Sequence, residues 1–68
     1  MKEIELFRPQ KNLILNFVKT KGVDKISVYS ASTSIPLIVI YTYILEELPE
    51  YKELAENKIK MLREFYGI

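Results

Sequence analysis

A chain of 68 residues with 28 % charged side chains and a formal net charge of +1 holds one domain and exerts no overall pull on nucleic acid. It has no Cys and no His, which excludes disulfides, thiolate or imidazole metal sites, and Ser-His or Cys-His nucleophiles. A lone domain of this size buries only about 60 % of the surface its unfolded chain exposes, so self-association is the expected source of further stability.

From Lys2 to Arg8 the chain alternates, with Ile4 and Leu6 opposed to Glu3 and Glu5, which predicts a half-buried strand ending at Pro9. Beyond Pro9, a residue suited to a first helical turn, Leu13, Ile14, Phe17 and Val18 share one helical face. Gly22 is placed for a left-handed cap, so a helix of about three turns is expected. Ile26 to Ser30, with Ile26 and Val28 on one side, reads as a second strand, parallel to the first across the intervening helix.

Twenty consecutive residues, Ile26 to Leu45, carry no charge. Residues 37–44 are β-branched and aromatic, as in a buried strand. Against that, Ser32, Thr33 and Ser34 are good N-caps, Pro36 fits a first turn, and Ile38, Tyr41, Leu45 and Leu48 recur at helical spacing, which favours a helix over 34–48. After Pro49, Glu50 lies where a negative charge suits a helix start. Tyr51, Leu54, Ala55, Ile59, Met61, Leu62, Phe65 and Tyr66 then form the apolar face of a last helix, closed by Gly67, with Glu56 and Lys60 as an i,i+4 pair. The expected fold is α/β, a small β-α-β-α-α two-layer domain spanning residues 1–68. Burial of the all-round apolar block 35–48 in an obligate homodimer interface accounts for its character, with Ile38, Tyr41, Tyr43 and Leu45 as interface residues.

Charge is unevenly spread: +3 over residues 1–25, −3 over 26–51 and +1 over 52–68. Arg8, Lys11, Lys19, Lys21 and Lys25 in the basic first third are the expected nucleic-acid-binding residues, able to pair with phosphates without reading bases. Lys19 and Lys21 equally suit the negative end of the first helix. Ser32, Thr33 and Ser34, at an expected helix start, form a candidate anion-binding loop, with plain helix capping as the simpler role. Tyr29, Tyr41 and Tyr43 have the chemistry to stack on bases but fit core or interface positions equally. Glu46, Glu47 and Glu50 offer oxygen ligands without the spacing of a known cation loop, so no metal and no cofactor is expected. Lys58 falls within the apolar face of the last helix, where a stem lying along the surface with its ammonium in water is the ordinary arrangement.

The apolar run Ile35 to Leu45 is eleven residues long, short of the roughly 20 that cross a bilayer, so a membrane role is not expected. The first residues show no signal-peptide pattern, which makes a cytoplasmic location the expectation. Nine Ile, eight Lys and eight Glu without Cys, His or Trp match proteins of hot environments.

Gly22-Val23-Asp24-Lys25-Ile26-Ser27-Val28-Tyr29-Ser30, together with Asn16-Phe17-Val18, resembles the centre of the Alba family of archaeal chromatin proteins. The resemblance implies a dimeric α/β nucleic-acid-binding module that uses basic residues at the start of the first helix, where Arg8 and Lys11 fall. Arg8-Pro9-Gln10-Lys11 stands where the family has Gly-Lys-Lys-Pro, and Ser32-Thr33-Ser34 replaces its basic turn. Two functions are therefore expected, neither enzymatic: sequence-independent DNA or RNA binding through the basic residues, or a homo- or hetero-oligomeric protein-interaction module that recognises another chain.

Overall fold

Among the described residues five α-helices follow one another, α1 (Lys2–Leu6), α2 (Lys11–Lys21), α3 (Ile26–Thr33), α4 (Leu37–Glu47) and α5 (Lys52–Tyr66), with 3₁₀ turns at Arg8–Gln10, Val23–Lys25 and Pro49–Tyr51. The structure is a computed structural model that describes residues 2–67, with the side chains of Lys2, Glu3 and Tyr66 left aside. No strand occurs among the described residues, so the fold is all-α and the expected α/β sheet is corrected.

Both expected strands are short helices. In α1, Ile4 is half-buried while Leu6 is 69 % exposed, and the second inward residue is Phe7, three positions after Ile4. Five residues fit a period of two and a period of 3.6 almost equally, and packing decides between them. In α3, Ile26 is buried and Tyr29 and Ser30 half-buried, the i, i+3, i+4 pattern of a helix, whereas Val28 points outward at 60 % exposure. The α/β module implied by the Alba resemblance is therefore not the fold adopted.

The helix after Pro9 runs as expected, although its 3₁₀ first turn shifts the regular part to Lys11. Its end is closed by Gly22 at φ 90°, ψ 165°, whose N–H donates to the Val18 carbonyl at 2.9 Å. This positive φ lies in a region that Gly enters without the Cβ penalty, though it is not the αL conformation expected there. The last helix ends on Gly67 in αL, at φ 72°. On its surface Glu56 meets Lys52, at 4.0 Å, rather than Lys60.

The uncharged block splits between α3 and α4. Ser34, at φ 62° and ψ 17°, is the left-handed cap that ends α3, and its N–H donates to the Ser30 carbonyl at 2.8 Å. Ile35 is buried and Pro36 is extended before α4 begins. From Leu37 to Leu45 no residue is exposed. The helix packs against α1, α2, α3 and α5, so four elements of the same chain cover it. Its all-round apolar character is thus that of a central core helix. The premise that a second subunit must hide this block does not hold, because the chain wraps its own remaining helices around it. Val39, Ile40, Tyr43 and Ile44 join Ile14 and Val18 of α2, Ile26 of α3 and Ala55 and Ile59 of α5 in one core.

Candidate functional site

The cation-bearing start of α2 lies against the C-terminal end of α4. Arg8 is held between Glu5 at 3.1 Å and Glu46 at 3.3 Å. Lys11 lies 2.7 Å from Glu47 and 3.6 Å from Glu46. Both cations also sit over the Tyr43 ring, at 5.3 Å for the Arg8 guanidinium carbon and 5.9 Å for the Lys11 Nζ. That ring is fully buried, and its hydroxyl donates to the Ile4 carbonyl. Tyr43 thereby ties α1 to α4 at the floor of a five-charge network.

The network has an electrostatic rationale within the fold. Two glutamates occupy the last turn of α4, the negative end of its dipole, with no basic residue in that turn. Arg8 and Lys11 arrive from the preceding helix pair and compensate both the carboxylates and the dipole. The hydrogen bond to Glu5 holds the Arg8 guanidinium further above its ordinary range, and that to Glu47 does the same for the Lys11 ammonium. Lys11 in turn keeps the Glu47 carboxyl below the usual carboxylate range. Burial pushes the Tyr43 phenol up.

Of the five expected phosphate-binding cations, Arg8 and Lys11 are thus engaged with carboxylates of their own chain. Lys19 lies at the end of α2, bordering a cleft with Glu47 and Glu50. Lys21 and Lys25 are exposed on either side of the α2–α3 turn, with Asp24 between them. The five do not form one uninterrupted basic surface. Of the carboxylates that neutralise Arg8 and Lys11, Glu46 and Glu47 belong to the −3 segment and Glu5 to the +3 segment itself.

The hydroxyl loop is also placed differently from the expectation. Ser32 and Thr33 lie in the last turn of α3 and Ser34 caps it, so the loop faces the negative end of a helix dipole rather than the N–H end of α4. Thr33 donates to the Tyr29 carbonyl at 2.7 Å and accepts from the Ile35 N–H at 3.4 Å. Ser30 donates to the Ile35 carbonyl at 2.6 Å. These hydroxyls brace the turn, and the capping that was expected for α4 is not made by side chains.

The expected interface residues divide. Tyr41 and Tyr43 are buried within the chain, while Ile38 and Leu45 are half-buried on α4. Outward apolar side chains lie instead on the surrounding helices: Leu6 on α1, Leu13 on α2, Val28 on α3, and Met61 and Phe65 on α5. Leu13, expected in the core, is 65 % exposed. Beside it Phe17 and Tyr29 pack ring to ring, with centroids 4.3 Å apart and planes tilted by 34°. Asn16, Thr20 and Lys21 complete a shallow groove with these three, and no carboxylate among the described residues lines it. Among the described residues no group of three or more Asp and Glu is gathered to hold a metal ion. Nor is any helix among them long and apolar enough to cross a membrane. No family model, no curated protein and no solved structure matches this chain.

Proposed function

We propose that this chain is a protein-interaction module that associates with a second copy of itself through the α2–α3 face. The observation that carries the reading is the exposed Leu13 beside the packed Phe17–Tyr29 ring pair, in a groove lined by no carboxylate among the described residues. Aromatic residues of this kind are enriched at the centres of protein interfaces. A net charge of +1 sets up little repulsion between copies. Lys21 and Asp24, exposed at the adjoining turn, carry opposite charges, which a two-fold contact can pair at its rim. Association would also supplement the limited burial available to a domain of this size.

Light scattering over a range of protein concentrations tests this. The expected result is a mass that rises to that of a dimer, and reverts to that of a monomer in Leu13→Glu with helicity by circular dichroism unchanged. A monomeric mass at every concentration overturns the proposal.

The same face supports a second reading, because Lys21 beside two aromatic rings is the elementary arrangement for stacking single-stranded bases. Fluorescence anisotropy with single-stranded DNA and RNA at two salt concentrations separates the two. Binding that falls steeply with salt and is lost in Lys21→Glu moves the assignment to nucleic acid.

A further inference from the structure

On a different face of the molecule, α3, α4 and α5 meet around a cleft of about 230 Å³ lined by Leu37, Met61, Leu62 and Phe65 together with Ser27, Tyr41 and Lys58. Lys58 is its sole charged group among the described residues. Its neighbours one turn away along α5 are Leu54, Ala55, Met61 and Leu62, all apolar. Lys60, by contrast, stands between Glu56 and Glu64, and Lys52 is paired with Glu56 at 4.0 Å. Lys58 is half-buried and makes no ion pair among the described residues. An ammonium in an apolar wall without a carboxylate partner is a place where an incoming anion gains more than it would at an exposed lysine.

Tyr41 adds a second polar group. The residue is 6 % exposed, and its hydroxyl makes no hydrogen bond among the described residues. Tyr41 lines the cleft, and no buried side-chain polar atom is left unsatisfied among the described residues, so its hydroxyl is not sealed from solvent. Desolvation raises the phenol, which keeps it a neutral donor across the physiological range.

We propose that this cleft binds a monocarboxylate with a short aliphatic tail, the tail lying against Leu37, Met61 and Leu62 and the carboxylate taken by Lys58 and the Tyr41 hydroxyl. The cleft is smaller than the roughly 300–1,000 Å³ of sites for drug-sized ligands, which suits a short chain and excludes a nucleotide. The single positive charge selects an acid over an alcohol or an amine of the same tail. This site is separate from the α2–α3 groove and does not depend on self-association.

The test is a titration followed by amide NMR shifts, with sodium octanoate as the probe and 1-octanol, octylamine and acetate as controls. Octanoate is expected to give saturable shifts centred on Leu37, Tyr41, Lys58 and Met61, at an affinity about tenfold or more above each control. Lys58→Met, which keeps the apolar stem, should lose that tenfold preference while leaving 1-octanol binding unchanged. Tyr41→Phe should weaken octanoate several-fold, with helicity by circular dichroism as the check on folding. Octanoate binding no more tightly than 1-octanol, equal octanoate affinity in Lys58→Met, or shifts centred away from the cleft would each overturn the proposal.

Discussion

Helices α4 and α5 pack side by side yet solve opposite problems. The first exposes nothing from Leu37 to Leu45, while the second buries one stripe through Ala55 and Ile59 and turns Lys52, Glu53, Glu56 and Lys60 to solvent. A helix with one apolar stripe needs one neighbour, and a helix apolar on all sides needs several. In a chain of 68 residues those neighbours must be nearly everything else, which is why even the five-residue α1 is recruited to α4. The difference shows that an uncharged run in a small protein does not by itself call for a partner subunit.

Substitution should expose the contrast most strongly at apolar positions of the two helices. Ile40→Ala, at a site with no exposure, should cost about 2–5 kcal/mol by urea denaturation. Met61→Ala, at a position 59 % exposed on α5, should stay within about 0.5 kcal/mol. Similar costs at both sites would mean that α4 is not the core.

Next in size is the tie between α1 and α4. Tyr43→Phe keeps the ring under Arg8 and Lys11 but removes the donor to the Ile4 carbonyl, and should cost about 1–3 kcal/mol. Hydrogen exchange should show the loss as faster opening of α1 with α5 unaffected.

The entry to α4 and the exit from α5 differ in one residue type at the same conformation. Gly67 adopts αL freely at the end of α5, whereas Ser34 holds it at φ 62° just before α4. Ser34→Gly should therefore raise stability by about 1 kcal/mol in thermal denaturation. A loss would show that the Ser34 side chain contributes more than its backbone strain costs.

The smallest effect belongs to the charged end of α4. Glu47 has a depressed pKa, so its contribution is present above the ordinary glutamate value near 4.3 and is lost as pH falls through the lower folded-state value. Lys11 has a raised pKa, so its contribution is complete below about 10.4 and disappears as pH rises through the folded-state value. Stability should be flat between these limits, and Lys11→Met should remove both slopes in part, measured as thermal midpoint against pH.

Proline and glycine made two helices legible in the sequence, because Pro9 with Gly22 and Pro49 with Gly67 bracket segments whose apolar residues repeat at helical spacing. The two misread strands were five to seven residues long and lacked a full repeat, so no local signal separated the periods. The candidate site was less legible. Arg8 and Lys11 were visible as cations, but their hydrogen-bonded partners Glu46 and Glu47 lie 38 and 36 residues away in sequence. The Phe17–Tyr29 contact likewise joins separate helices, and Leu13 sat on the predicted inner face of α2.

By itself the sequence determined that the uncharged residues 35–45 are hidden, that α2 and α5 are helices with known ends, and that neither disulfide nor histidine chemistry is open to the chain. These follow from composition and from patterns complete within a few turns. Only the tertiary structure decided that α1 and α3 are helical, that the chain covers its own apolar block, and that its most basic corner is neutralised from within. Each of those depends on contacts between residues far apart in the chain, and a local pattern carries no information about which distant surface will meet it.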